Sequence, residues 1–425
     1  MIKALGCHVF AGGMTAGFKD VFDVKAQLEV HGLGDDTVEK VWKVPVIRPA
    51  DGACAWPAPV ALGHGRIDVL YGNPRCTAFS NVTAGLSSTG HGPEARQCQD
   101  VKELVDYGLA YEFSLIVWES VQQAYRTGKP LVDSFTRRFI ENGYRVAHVF
   151  VNARTFGNAQ NRKRYFQVAY PRDRQFNVDL PPMLEHAPML WDAISERRHR
   201  ECNVVDPLPM IRDGGYDQDS YLQLTADEWH SLPHMASGWD ANTLAQYDYE
   251  KLSPAFKAKW DERMSDMPFS MHGVHRPAWM CAAPTLTNSC CRLLHPWWHR
   301  PCTVGELADI MGWRGEIPVG PDPFSQIAKG VVPDVATWIA EMCRKCLEDE
   351  WGGPTEDWST RYDHVRGVFE GEDTSGQDEK VIDVTQYYPR DFDIGRFPAE
   401  CQEQCHRFNV DPKTGRLIRK WKEIA

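Results

Sequence analysis

The alternation of short apolar runs with amphipathic stretches through residues 1–170 constrains this chain more than any other feature. The first run, Ala4 to Phe10, enters the glycine turn AGGMTAGF and a helix start. Further runs follow at Val24 to Val30, Arg66 to Tyr71 (RIDVLY), Leu115 to Trp118 (LIVW), Tyr144 to Val151 and Tyr165 to Ala169. Helical spacing fills the gaps, most clearly from Val101 to Ala110 and from Val132 to Asn142. Near-continuous apolar strands joined by helices are the pattern of βαβ units buried on both faces. The expected fold class is α/β, an open, doubly wound, mostly parallel sheet of the Rossmann-like kind.

Beyond residue 170 the order lapses. From 171 to 284 Pro, Asp, His and Trp are scattered without alternation, as in an insertion with its own small fold. Helical spacing returns in LADIMGW and VATWIAEMCRKCLEDEW, so residues 285–348 are expected to rejoin the first domain. Residues 349–425 form a tail. Its stretch from Glu370 to Asp383 is dominated by acids and reads as solvated or flexible, and its end, KTGRLIRKWKEI, is basic and amphipathic.

Composition narrows the function classes. With 43% hydrophobic and 25% charged residues, the 425-residue chain can bury a core and is not globally disordered. No apolar run reaches the ~18 residues of a membrane helix. The opening MIKALGCHVFAGG runs straight into a turn and is not the pattern of a signal peptide. A cytoplasmic protein of a bacterium or a phage-infected cell, with mostly reduced thiols among its 13 Cys and working as a monomer, is the expectation. A net charge of −11 excludes a uniformly basic coat, so any nucleic-acid site is a local basic patch.

Four short segments could carry chemistry. The turn at Phe10, Ala11, Gly12 and Gly13 lets backbone approach a ligand, or is simply a tight strand–helix connection. Glu29, at the end of the second run, suits a ribose diol, or is a plain surface acid. In YGNPRCTAFS, Cys76 follows a strand at the carboxyl edge of the sheet, placed for a nucleophile or else an inert buried thiol. Glu119, in LIVWESV, reaches the same edge as a partly desolvated acid, or as the partner of a cation such as Arg75. In GNAQNRKRYFQVAY, Gln160, Arg162 and Arg164 alternate and would share one face of an extended segment, suited to phosphates and base edges or to a solvated edge.

Taken in this order, the segments FAGGMTAGF, GNPRCTAFS, ESV and QNRKR resemble the motifs of the DNA cytosine-5 methyltransferases. The segment with His295, Pro296, Arg300, Thr303 and Glu306 is similar to that family's H-P-x-x-x-R-x-x-T-x-x-E, and SQIAKGVVP to its Q-I-G-N-A-V-P-P. The resemblance spans residues 4 to 348, apart from most of the insertion. It implies transfer of a one-carbon group from S-adenosylmethionine to C5 of a cytosine flipped out of double-stranded DNA, as in restriction-modification or phage DNA modification. It implies Cys76 as nucleophile and Glu119 as acid, with Arg162 and Arg164 holding the base. It implies Phe10, Ala11, Gly12, Gly13, Glu29, Asn73, Pro74, Arg75, Lys329 and Val331 around the donor, and Gln160 and Ser80 with the Arg pair on DNA. Residues 171–284 stand where the family keeps its target-recognition domain. RNA cytosine as acceptor and a non-catalytic DNA-binding module are the rival readings.

The chain departs from that pattern. Arg75 replaces a Pro before the nucleophile, Thr77 a Gln after it and Ser120 an Asn, and Ala328-Lys329-Gly330-Val331 stands for G-N-A-V. Two cations, Arg75 and Lys329, thus enter the expected donor pocket. They are compatible with drift, or with a donor bearing an extra carboxylate, carboxy-S-adenosylmethionine, which would deliver carboxymethyl. No metal site is expected; Cys343, Cys346, Cys401, Cys405 and His406 could hold zinc, but ordinary thiols fit their spacing better.

Overall fold

The computed structural model describes residues 1–49, 56–75, 79, 98–194, 249–263, 275–277, 281–287, 293–296, 300–351, 378–387, 394–397 and 399. Its strands are β1 (Lys3–Cys7), β2 (Asp23–Leu28), β3 (Val46–Ile47), β4 (Val69–Gly72), β5 (Leu115–Val121), β6 (Tyr144–Asn152), β7 (Lys163–Pro171) and β8 (Glu379–Asp383). The helices are α1 (Gly13–Phe18), α2 (Asp35–Lys40), α3 (Gln99–Ala110), α4 (Gln123–Arg126), α5 (Lys129–Glu141), α6 (Leu190–Ile194), α7 (Pro254–Arg263), α8 (Val304–Met311), α9 (Pro323–Lys329) and α10 (Pro333–Leu347).

All eight strands form one sheet in the order β3-β2-β1-β4-β5-β7-β6-β8. Every pairing is parallel except those of β7, which runs antiparallel to β5 and β6. The mostly parallel α/β sheet is the one the sequence predicts. Side chains alternate between two cores along each strand. Ala4, Val69, Val117 and Val149 enter the core under α1, α8 and α10, whereas Leu5, Leu70, Ile116 and Val146 enter the one under α3 and α5. Burial on both faces explains why the runs read as continuous apolar segments rather than as alternating ones.

Strand order reverses between β1 and β4, so the connections leaving their carboxyl ends diverge and open a crevice between them. The loops after β1, β2 and β4, the end of β5 and the start of β7 all face this crevice edge.

Two boundaries differ from the sequence reading. Residues from Phe176 to Ile194 were expected in a separate insertion, yet Phe176, Val178, Leu190 and Ile194 are fully buried in the main core. The tail also contributes to the sheet. Glu379–Asp383, expected to be solvated, is the edge strand β8, parallel to β6. Ile382 points into the core and Val381 outward, and His148 Nε2 lies 2.9 Å from Glu379 Oε1. The flanking acids masked this short apolar pair; charges on an edge strand are a common guard against further pairing. Cys343 and Cys346 are core thiols of α10, and burial raises the pKa of both, Cys346 to about 12. Cys401, Cys405 and His406 lie outside the described residues.

Candidate active site

After β1 the chain turns sharply. Phe10 and Gly12 take left-handed φ values of 53° and 76°, and α1 begins at Gly13. Gly13 is forced by packing. A Cβ there would stand 2.4 Å from the backbone oxygen of Val331, so only glycine lets the stretch after α9 close against the turn. Trp42 Nε1 donates to the Ala11 carbonyl at 2.8 Å and fixes the outer side of the turn.

Glu29 follows β2 and is fully buried. Its Oε2 accepts from the Phe10 N–H at 2.9 Å, and its Oε1 from the N–H groups of Val30 and His31 at 3.0 and 3.2 Å. Three backbone donors on one carboxylate hold it rigidly beside the turn. The His31 ring stacks on Phe10 with centroids 5.9 Å apart, and Lys329 Nζ lies 5.6 Å from the Phe10 ring centroid.

Glu119 is 2% exposed near the end of β5. Asn73, at the start of the loop after β4, donates its amide to Oε2. Arg164 Nε lies 2.8 Å from Oε1, near enough to pair by charge although no N–H is aimed along that line. Burial raises the Glu119 pKa, and the opposing pull of Arg164, Arg162 and Asn73 does not cancel it. A carboxyl so placed keeps its proton to higher pH than an ordinary one. Pro74 is buried in the same loop. Cys76 and Ser80 lie outside the described residues.

The neighbour of Glu119 is thus Arg164, not Arg75. Arg75 instead grips Asp100 with two bonds of 2.6 and 2.7 Å, and His31 Nε2 meets the same carboxylate at 2.9 Å. Burial pushes the Asp100 pKa up, but His31 and Arg75 outweigh it and hold the group far below the usual carboxylate range. Arg75 therefore has an internal counter-charge and needs none from a ligand, which removes one of the two cations that pointed to an anionic donor.

Gln160 and Arg162 correct a second expectation. They do not present a face to DNA: both are buried, at 0% and 2% exposure. Arg162 donates to the backbone oxygens of Leu286, Ala328 and Gly330 at 2.8–2.9 Å and to Gln160 Oε1 at 3.2 Å. Gln160 accepts from the Leu286 N–H at 2.8 Å. The pair braces the end of α9, and with it Lys329 and Val331, against the sheet. Chain alternation could not distinguish this from an exposed edge, because the cover comes from Leu286 and the end of α9, far away in the chain.

The segment from His295 to Glu306 is a clamp of the same sort. Arg300 forks Glu306 with bonds of 2.9 and 2.8 Å, while Thr303 and Glu306 form a reciprocal capping box at the start of α8. His295 is buried beside them, and burial lowers its pKa to about 3. Sequence reasoning missed His31 and Asp100, whose only signal was polarity next to a predicted strand end and a predicted helix start.

The family of C-5 cytosine-specific DNA methylases matches residues 12–345. A protein named as a type II methyltransferase from Oceanobacillus iheyensis is 32% identical over 112 residues, which are 25% of this chain and 24% of that one. A type II methyltransferase from Methanothermobacter thermautotrophicus is 35% identical over 71 residues, 17% of this chain and 22% of the relative. The chain therefore spans about a quarter of the length of the curated relatives it matches. In fold it is similar to a protein described as a DNA modification methyltransferase encoded within an E. coli prophage, with TM-score 0.52 and 17% identity over 82% of this chain and 100% of that one.

Proposed function

The chain belongs to the family of C-5 cytosine-specific DNA methylases, and from that premise we propose that it transfers the methyl group of S-adenosylmethionine to C5 of cytosine in double-stranded DNA. The observation that carries this reading is Glu119: a buried acid with a raised pKa, tied through Asn73 to the loop that continues to Cys76.

The donor fits the residues present. Glu29 offers a fixed carboxylate to a ribose diol, Phe10 a ring face to an adenine, and the turn at Gly12 and Gly13 a close backbone approach. Bound there, S-adenosylmethionine supplies an electrophilic methyl carbon on a sulfonium.

The protein's own groups do the rest. The Cys76 thiolate adds to C6 of the flipped cytosine, and the C5–C6 pair of electrons moves through the ring toward N3. Glu119 delivers a proton to N3 and neutralises that charge as it forms. The resulting enamine makes C5 nucleophilic enough to take the methyl group, with S-adenosylhomocysteine as the neutral thioether that leaves. Loss of the C5 proton to a base then expels the thiolate, N3 returns its proton to Glu119, and the aromatic ring, the acid and Cys76 are all restored to their starting states. Arg164 keeps Glu119 aimed, and Arg162 sets the wall of the pocket. Residues 195–248, inside the insertion, would read the target bases.

A 5-fluorocytosine DNA tests the mechanism, since fluorine cannot leave C5 as a proton does. A covalent complex that forms with the donor and is lost in Cys76→Ser supports the reading. No complex with DNA, or one only with RNA, assigns the chain to the non-catalytic or RNA-acting alternative.

A second reading keeps the acceptor and changes the donor. Lys329 sets an ammonium beside Phe10, where a carboxylate on the transferred carbon would gain a charge-assisted bond. Competition between S-adenosylmethionine and its carboxylated analogue, scored by product mass in wild type and Lys329→Asn, decides it. A shift from carboxymethyl toward methyl in the variant supports this donor, and a methyl product alone in both removes it.

A further inference from the structure

Asp100 has no part in the methyl-transfer steps, yet it joins two segments that do. It stands in the first turn of α3 and is 2% exposed. Arg75, one residue before Cys76 in the chain, takes both of its oxygens, Nε donating to Oδ2 at 2.6 Å and a terminal nitrogen to Oδ1 at 2.7 Å. His31 Nε2 meets the same Oδ2 at 2.9 Å. His31 is also fixed at its other end, since its backbone N–H donates to Glu29 at 3.2 Å, and its ring stacks on Phe10. One carboxylate thus connects the ring face offered to the donor with the residue before Cys76.

Stability alone is a weak reason for such a pair, because the desolvation of a buried carboxylate offsets much of its attraction to a cation. Geometry is a stronger one. A proline before the nucleophile fixes its own φ. Arg75 leaves that torsion free, and the two-bond fork on Asp100 restores a restraint through the side chain. Unlike proline's, this restraint depends on where Asp100 is held, and its Oδ2 is shared with His31.

We propose that Asp100 is a positioning residue that couples donor binding to the placement of the nucleophile, with His31 as its contact on the donor side and Arg75 on the other. A donor seated on Phe10 limits the His31 ring, the ring limits Oδ2, and Oδ2 limits Arg75 and the backbone next to Cys76. The coupling is reciprocal, so anchoring Arg75 also favours the donor. This inference rests on the donor and nucleophile assigned above.

The test uses the full chain, S-adenosylmethionine and long double-stranded DNA with 5-fluorocytosine at every cytosine, which contains any short target. Covalent trapping followed against donor concentration gives a maximal rate, and calorimetry gives donor affinity without DNA. Arg75→Met should weaken donor binding, and His31→Gln should slow maximal trapping, each by about fivefold or more. These are cross effects, since each variant moves the quantity that belongs to the other end. Both should vanish in an Asp100→Asn background. Arg75→Lys, which keeps the charge without the fork, should fall between wild type and Arg75→Met. If Asp100→Asn fails to fold, the partly exposed Arg75 and His31 carry the test through their double variant, whose effects should be less than additive. Arg75→Met that changes only the trapping rate and His31→Gln that changes only donor affinity, adding independently, would overturn the coupling and leave Asp100 a local ion pair, with the methyl-transfer reading intact. A wild type that neither binds the donor nor traps DNA contradicts that reading, and the coupling with it.

Discussion

Asn73 and Glu119 meet side chain to side chain in the crevice although 46 residues separate them in the chain. They sit at the ends of the neighbouring parallel strands β4 and β5, so the start of the loop after β4 and the strand bearing Glu119 are locked at one point. Arg164, on the antiparallel β7, approaches from the other side because its register places it opposite Val121. The topology of three strands thus converges on one carboxyl.

That convergence sets the pH behaviour. Burial raises the Glu119 pKa, so the protonated form extends above the ordinary carboxylate range and is lost as pH climbs through the raised value. The thiolate has the opposite demand, and kcat should describe a bell. Glu119→Gln keeps the shape but cannot deliver a proton to N3. It should lower kcat by about 10²–10⁴-fold and abolish the alkaline limb. Single-turnover rates across pH check both; an alkaline limb that persists in the variant assigns it to another group.

Arg162 should act on donor affinity through the fold. Arg162→Ala orphans the backbone oxygens of Leu286, Ala328 and Gly330, at a cost of about 2–4 kcal/mol in stability. It should weaken donor binding because Lys329 and Val331 lose their brace. Arg162→Lys keeps the charge without the fork and should fall between. Urea denaturation and donor calorimetry check this; a variant of normal stability that loses only DNA affinity returns Arg162 to the DNA.

The Arg300–Glu306 clamp predicts acid sensitivity. Burial alone would raise the Glu306 pKa, but the Arg300 guanidinium outweighs it and holds the group below its ordinary value. A lowered folded pKa means that the stabilisation is complete above the unfolded value of about 4.3 and drains away as pH falls through the folded one. Glu306→Gln leaves Arg300 buried without its counter-charge and should cost about 3–5 kcal/mol at neutral pH. Denaturation midpoints at neutral and acid pH should converge for wild type and variant; a constant gap would place the acid response elsewhere.

The sequence carried the sheet because each core strand is buried on both faces, and Leu5 beside Ala4 or Ile116 beside Val117 leaves a run with no polar gap. It carried the places of Glu29 and Glu119 because both follow such runs. The partners were another matter. Whether Arg75 meets Glu119 or Asp100 depends on how α3 docks, and nothing local encodes that. Arg162 read as a DNA contact because alternation shows which residues share a face but not what covers it. The strand β8 was hidden because Val381 and Ile382 are a short apolar pair among acids, and only a free edge on β6 gives them a partner.

The most direct test is mass spectrometry of nucleosides from double-stranded DNA incubated with the purified chain and S-adenosylmethionine bearing a deuterated methyl group. The account predicts labelled 5-methylcytosine with the wild type, and none with Cys76→Ser although that variant still binds the DNA. Labelled methyl on any other base or position, or undiminished 5-methylcytosine from the serine variant, would contradict it.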